Sequence, residues 1–329
     1  MDEREAKLEE VMSDDIELDS NTSLDSDVNT SEVILSDDEK HMIKLSAGQA
    51  LDIQETYDIT ASEETKLIVL VGPSSCGKTT IIATVYQLFL RGPLGDYYFA
   101  GSKTLQGYEQ RSHLSRFSSN RREPTTIRTS GGVSNLFLHL RLWNSKQGTY
   151  INLLFADVSG EDYEEYITNV DAVQEHLEFI KSANYVIAVL DGALLTDKSR
   201  RNGLSDSMAQ LLLTIIDADL ISYKSKLQVL FSKYDVIDTE ENVNVMSYIG
   251  YCKKKYQEKF RKNFSEIELH EIAAMPQNGD KYSFGSGLDK LFLSWCKQDN
   301  QLEKGKFEKF TVCNEFNKLY FKLLGEENE

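Results

Sequence analysis

The sequence predicts an α/β fold: a doubly wound, mostly parallel sheet of about six strands with one antiparallel edge strand and helices on both faces. Two observations predict it. First, short apolar runs alternate with segments long enough for a helix, as in sheets whose strands are buried on both faces. Second, one run alternates strictly and is joined to the next by the short turn NSKQG, as in a hairpin. The runs cover residues 65–72, 135–143, 150–160, 183–192, 227–235 and 267–275.

Helical spacing of apolar residues follows the first strand, in KTTIIATVYQLFL at 78–90, and this segment stops before Arg91-Gly92-Pro93. A second helix is expected at 287–297, after which a charged linker leads to an apolar segment at 316–324. We expect 301–329 to be a helical extension packed on the main domain, because so small a piece could not hold a core of its own.

The net charge of −17 is concentrated at one end of the chain. Residues 1–40 contain 15 Asp or Glu and only 3 Lys or Arg, and they contain no aromatic residue. Such a segment cannot bury enough apolar surface to offset its ordering entropy. We therefore expect 1–45 to be a disordered acidic tail, either solvating or partner-binding, and 46–64 to be a linker.

Several classes of protein are disfavoured by composition. The 4 Cys and 5 His are scattered without metal-ligand spacing, so neither a zinc site nor a disulfide framework is expected. The chain begins with acidic residues and has no apolar run near the ~18 residues of a membrane span. These features predict a cytoplasmic protein with no membrane partner. The basic segment 253–262 is interpreted as a solvated helix face, so nucleic acid is an unlikely partner.

The loop between the first strand and its helix carries the strongest motif. GPSSCGKT fits G-x-x-x-x-G-K-[ST] in full, and the strand before it and the helix after it are the context that a phosphate loop requires. Backbone N–H groups of such a loop surround a β-phosphate, the lysine reaches the β- and γ-phosphates, and the hydroxyl ligates Mg²⁺. The predicted fold is therefore of the P-loop NTPase type. The predicted nucleotide-binding residues here are Gly72, Pro73, Ser74, Ser75, Cys76, Gly77, Lys78, Thr79 and Thr80.

Downstream, Asp157 ends an apolar strand and starts the pattern D-x-x-G, which continues to Gly160. A carboxylate at this place can hold the magnesium shell, and the glycine N–H can approach a γ-phosphate. With Thr79, Asp157 is a predicted metal residue.

GPSSCGKTT, DVSG and SKYD occur in the order found in the translation-factor-like GTPases, which include the Ras-like proteins, and the sequence resembles that class. The resemblance implies that Lys233 and Asp235 read guanine, with GTP or GDP and Mg²⁺ as cofactors. The sequence departs from the family's [NT]-K-x-D at Ser232, which still offers a hydroxyl. Ala274, in Ala273-Ala274-Met275, corresponds to the family's S-A-K, whose backbone meets the guanine. GSGLDKLF at 285–292 resembles the family's entry to the last helix.

The resemblance also implies residues for turnover. RREPTTIRT resembles the switch segment whose threonine closes on magnesium and the γ-phosphate, and this implies Thr126, with Thr125 left open. Arg122 stands where some family members carry an arginine finger, although the arginines there could equally only solvate the loop. Glu161 follows DVSG, where a water-orienting Gln is common, and its charge should slow hydrolysis by repulsion.

The long stretch from the phosphate loop to these threonines resembles the bacterial double-GTPase type 2 group of the TRAFAC clade, over about 65–297. The resemblance implies a GTPase domain at 65–300 with an enlarged switch I region at 91–131. It also implies a protein effector or partner GTPase, in a bacterial conflict or anti-phage setting. Two other functions stay open: an ATPase or kinase on the same loop, and a non-catalytic nucleotide-binding module.

Overall fold

The computed structural model describes residues 48–113, 136–239, 242–277 and 280–297. Within these ranges seven strands form one sheet in the order β2-β3-β4-β1-β5-β6-β7. Their bounds are β1 Thr65–Val71, β2 Tyr97–Gly101, β3 Phe137–Asn144, β4 Thr149–Asp157, β5 Tyr185–Asp191, β6 Lys226–Ser232 and β7 Glu266–Glu271.

The sheet is mostly parallel, as the sequence predicts. Strand β1 lies between β4 and β5 and is parallel to both, and the pairs β5–β6 and β6–β7 are also parallel. Strand β3 runs antiparallel to β4 and to β2. Within the described ranges the sheet has seven strands, close to the expected six. One detail differs from the prediction: the antiparallel strand lies one position inside the edge, because β2 pairs outside it.

Helices lie on both faces of this sheet. Successive residues of β1 point to opposite faces, so Ile68 and Leu70 belong to one apolar core, and Val69 and Val71 to the other. Helices α2, α3 and α10 contribute to the first core, and α5, α7 and α9 to the second. The bounds are α1 Tyr57–Ser62, α2 Lys78–Arg91, α3 Leu105–His113, α4 Tyr163–Tyr166, α5 Val170–Leu177, α6 Gly192–Thr196, α7 Arg201–Asp217, α8 Tyr234–Ile237, α9 Val243–Phe260 and α10 Leu288–Trp295, with a 3₁₀ helix at Glu178–Ser182.

The segment expected to be a linker packs on the domain over its described part, so that prediction is wrong for 48–64. Leu51 is fully buried and exchanges two backbone hydrogen bonds with Phe137, of 2.9 and 2.8 Å. The N–H of Gly107 donates to the carbonyl of Gly48 over 3.0 Å. We call Gly48–Leu51 the strap, and it bonds to both α3 and β3. Burial of Leu51 and Ile59 explains why this segment is not a free linker.

The region expected to be an enlarged switch I, 91–131, contains β2 and α3 in its described part. The acidic tail at 1–45 and the extension at 301–329 lie outside the described residues. None of the helices in the described ranges is long and apolar enough to cross a membrane.

Candidate functional site

The loop from Gly72 to Gly77 joins the central strand β1 to α2. Ser75 and Gly77 have positive φ angles of 64° and 102°, which turns the chain tightly before the helix begins. A Cβ on Gly72 would lie 2.9 Å from both the Cys76 sulfur and the Val189 carbonyl, so the loop closes only with glycine at 72. The N-terminus of a 14-residue helix follows directly, and the N–H groups and dipole of a helix N-terminus favour an anion there.

Lys78 is the first residue of α2, directly after this loop, and it is almost fully buried. Its ammonium donates to the carbonyl of Gly72 over 2.7 Å and to that of Pro73 over 3.1 Å. A buried ammonium next to a helix N-terminus is matched to an anionic group, because burial without compensating negative charge is costly. Lys78 can therefore exchange carbonyl partners for phosphate oxygens.

The side chain of Thr79, at the start of α2, contacts the side chain of Asp157, at the end of β4. The hydroxyl of Thr79 donates to Asp157 Oδ2 over 2.5 Å. Both are hard oxygen ligands, and Mg²⁺ commonly takes one or two such protein groups together with phosphate oxygens and water. The donor pair thus fits magnesium, although no group of three or more His, Cys, Asp or Glu within the described ranges could hold a metal by itself. Thr80 follows in the first turn of α2.

Gly160 lies against the phosphate loop. A Cβ built on Gly160 would lie 2.5 Å from the nitrogen and Cα of Ser74 and 2.7 Å from the carbonyl carbon of Pro73. Glycine at 160 therefore permits a backbone-to-backbone approach that any other residue would prevent. The next residue, Glu161, is exposed, and its N–H donates to the hydroxyl of Ser159. The DVSG segment is thereby held against the phosphate loop.

Ser232 and Lys233 tie the end of β6 to the same loop. The hydroxyl of Ser232 donates to the carbonyl of Cys76 over 2.7 Å and lies 3.2 Å from that of Leu190. The ammonium of Lys233 donates to the carbonyl of Ser75 over 3.0 Å. Burial raises the pKa of the Cys76 thiol, so this residue contributes its backbone carbonyl and not a reactive thiolate.

Asp235 lies in α8, directly after β6, and Ala274 lies in the loop after the neighbouring strand β7. Asp235 Oδ2 accepts the N–H of Gln277 over 2.9 Å, which joins the SKYD segment to the loop after β7. Ala274 is buried, and its carbonyl accepts the N–H of Gly285 over 2.9 Å. The GSG turn before α10 therefore braces the loop that carries Ala274.

A family model described as Double-GTPase 2 matches residues 66–296, which is most of the chain. The chain belongs to the Double-GTPase 2 family. None of the curated proteins matches it in sequence.

Three solved structures resemble this Double-GTPase 2 domain distantly. The signal recognition particle receptor SRb-GTP/SRX complex from Chaetomium thermophilum is 16% identical with a TM-score of 0.34, over 65% of this chain and 92% of that one. The S. cerevisiae Ski7 GTPase-like domain matches twice. Bound to GDP and inorganic phosphate it is 16% identical with a TM-score of 0.42, and bound to GTP it is 15% identical with a TM-score of 0.40. Each Ski7 match covers 77% of this chain and 54% of the other.

The sequence motifs do not identify one residue that lies next to the candidate site of this Double-GTPase 2 domain. Asp191 ends β5, and its carboxylate is 2.7 Å from the ammonium of Lys233. A strand-terminal Asp between DxxG and SKYD was a visible signal, because carboxyl ends of parallel strands meet at one edge. Thr126 and Arg122, and with them Thr125, lie outside the described residues. The remaining predicted residues lie together at the carboxyl edge of the sheet.

Proposed function

We propose that this Double-GTPase 2 domain binds GTP and GDP with Mg²⁺, hydrolyses GTP slowly and acts in the cytoplasm as a nucleotide-controlled switch for a protein partner. The observation that carries the proposal is the 3.0 Å hydrogen bond from Lys233 to the carbonyl of Ser75. It joins the segment that resembles a guanine reader directly to the phosphate loop.

Phosphate binding is assigned to the loop and to Lys78. The loop N–H groups and the N-terminus of α2 supply donors, and the ammonium of Lys78 supplies positive charge. Magnesium, held by Thr79 and by Asp157 directly or through water, would neutralise charge on the β- and γ-phosphate oxygens. The structure brings these two side chains into direct contact, so one ion can reach both.

Base recognition is assigned to Lys233, Asp235 and the backbone of Ala274. The aliphatic stem of Lys233 can pack on a purine, while the carboxylate of Asp235 can accept two hydrogen bonds from a guanine edge. Adenine offers a different pattern of donors, so a correctly placed carboxylate distinguishes the two bases. Ser232 retains the tether to the phosphate loop although Asn or Thr is usual at this position.

Slow hydrolysis is inferred from Glu161. Gly160 packs on Ser74, so the residue after it would lie close to a γ-phosphate held by the phosphate loop. A carboxylate there repels the phosphate charge and orients water poorly compared with an amide. The same proposal assigns magnesium binding to Thr126. It assigns to Arg122 the stabilisation of charge on the phosphoryl group during its transfer.

The catalytic part is tested by single-turnover hydrolysis of GTP with Mg²⁺, measured as phosphate release. We expect a rate on the order of 10⁻⁴ to 10⁻² s⁻¹, as for switch GTPases without an activating partner. Lys78→Ala is the control and should abolish both binding and hydrolysis. A wild-type rate above ~1 s⁻¹ would contradict slow intrinsic turnover.

The switch part proposes a protein effector or a partner GTPase, and the family resemblance favours a bacterial conflict or anti-phage setting. A γ-phosphate would alter the packing of Gly160 on Ser74 and so change the surface around DVSG. Affinity capture with the full chain loaded with GDP or with a non-hydrolysable GTP analogue should retain the partner in one state only. Equal retention in both states, and without nucleotide, would favour a non-catalytic interaction module.

A further inference from the structure

We propose that Asp191 is a positioning residue for nucleotide binding, which holds the ammonium of Lys233 against the phosphate loop and so fixes the base-reading segment. The inference rests on the proposed function and adds a residue that no sequence motif identified. It also predicts how the base site and the phosphate loop are coupled.

Asp191 is nearly buried and uses both of its carboxylate oxygens. Its side chain is 6% exposed, and Oδ2 accepts from the ammonium of Lys233 over 2.7 Å. The other oxygen, Oδ1, accepts the N–H of Ala193 over 2.9 Å and caps α6. The carboxylate is therefore fixed by the backbone on one side and bound to the lysine on the other.

The ends of β5 and β6 are built to approach each other. A Cβ on Gly192 would lie 2.1 Å from the carbonyl oxygen of Ser232, so glycine after Asp191 permits this contact. Lys233 follows with a φ of 50°, an uncommon conformation for a residue with a side chain. Such a conformation persists when its surroundings hold it, and here Asp191 and Ser75 both bind the end of the side chain.

The ammonium of Lys233 bridges two groups, the carboxylate of Asp191 and the carbonyl of Ser75. With its end held, the aliphatic stem of the lysine is confined instead of sampling many rotamers. A confined stem is a preorganised surface on which the purine can pack, and preorganisation raises affinity by lowering the entropy lost on binding. Because the effect is on the base, it should be equal for GDP and GTP.

The test is a double-mutant cycle on the full chain, with GDP and GTP affinities measured in Mg²⁺ for the wild type, Asp191→Asn, Lys233→Met and the double variant. Asparagine can still cap α6 through its single carbonyl oxygen, but it cannot also carry the charge that faces Lys233. Methionine retains an aliphatic stem without the ammonium. We expect Asp191→Asn, as a single substitution, to lower the affinity for both nucleotides about tenfold, since a charge-assisted hydrogen bond is lost.

In the Lys233→Met background the same substitution should change affinity by no more than about twofold, because the partner is already absent. Glu63→Gln, which breaks the ion pair with Arg141, is the control for loss of an ion pair elsewhere and should leave both affinities unchanged. Thermal unfolding checks each variant, and Asp191→Ser, which also caps a helix, enters the same cycle if Asp191→Asn is unstable.

Additive effects in the cycle, or unchanged affinity in a folded Asp191→Asn, would overturn the role of Asp191 and leave the proposed function standing. A wild type that binds neither nucleotide would overturn both. Unequal losses for GDP and GTP would place the effect on the phosphates and also contradict the inference.

Discussion

The hydroxyl of Ser232 donates to the carbonyl of Cys76 over 2.7 Å, which joins the end of β6 to the phosphate loop. Removing this hydroxyl should loosen the loop and lower the affinity for GDP and GTP by about three- to tenfold, as expected for one neutral hydrogen bond. Calorimetric titration of Ser232→Ala measures the effect. Ser232→Thr keeps the hydroxyl and should bind like the wild type, whereas equal affinities for Ser232→Ala and the wild type would show that the tether does not matter.

Gly160→Ala should separate nucleotide binding from hydrolysis. The added methyl cannot fit 2.5 Å from the backbone of Ser74, so the DVSG segment must move away from the phosphate loop. We expect single-turnover GTP hydrolysis to fall by about tenfold or more, because transition-state contacts depend on sub-ångström placement. The affinity for GDP, which lacks the γ-phosphate, should change by less than about threefold.

The control for that experiment is Ser159→Ala, in the same segment. It removes only the hydroxyl that accepts the N–H of Glu161 and adds no clash. If Ser159→Ala and Gly160→Ala slow hydrolysis equally, the close approach of Gly160 is not the cause.

Thr79→Ala should remove the magnesium dependence of nucleotide release. In the wild type, chelating Mg²⁺ with EDTA should accelerate GDP release by about tenfold or more, since the proposed ion would link protein oxygens to phosphate oxygens. The variant should release GDP at one rate with and without EDTA. Thr80→Ala, one residue further along α2, should keep the EDTA response, and its loss there would point to general damage to the helix start.

Gly107→Ala tests the packing of the strap on α3. A Cβ at 107 would lie 1.7 Å from the carbonyl oxygen of Gln49, so the strap must shift. We expect a loss of about 1 to 3 kcal/mol in the free energy of unfolding, measured by denaturant titration. Gly250→Ala in α9 is the matched control, because its Cβ meets nothing within 4 Å. The control should be neutral or more stable by up to about 1 kcal/mol, since alanine favours a helix.

Glu268 should contribute to stability in a pH-dependent manner. Hydrogen bonds from His270 and Gln228 lower the pKa of Glu268 to about 2. A carboxyl group whose pKa is lower in the folded chain than in the unfolded chain stabilises the fold. The stabilisation is complete above the unfolded pKa of 4.5 and is lost as the pH falls towards 2. Glu268→Gln should therefore be less stable than the wild type at pH 7, and the gap should close on acidification. A gap that is constant from pH 7 to pH 2.5 would refute this assignment.

The sequence predicts the sheet well because the apolar runs are local patterns, and the loop motifs are local patterns as well. The first strand, the glycines after it, Lys78 and Thr79 all lie within one short segment of the sequence. The same holds for the strand that ends at Asp157 and the motif that begins there. The strap is harder to predict because Leu51 lies in a short segment of mixed polar and apolar residues, and its burial depends on a distant partner, Phe137. Packing across the chain decides such cases.

Strand β2 and Asp191 illustrate the same limit. The residues of β2, YYFAG, lie in a region of mixed polar and aromatic residues, and their pairing with β3 fixes them as a strand. Asp191 resembles any strand-terminal acid until β5 and β6 are placed side by side, when its contact with Lys233 becomes visible. Pairwise contacts of this kind follow from topology and have no sequence spacing of their own.

The central claim, that the nucleotide is a guanine nucleotide, is tested most directly by titrating GTP and ATP with Mg²⁺ against the wild type and Asp235→Ala. The account predicts that the wild type binds GTP at least about 100-fold more tightly than ATP, and that Asp235→Ala removes this preference while keeping weak binding of both. Equal or tighter binding of ATP, unaffected by Asp235→Ala, would contradict it and favour an ATPase or kinase built on the same phosphate loop.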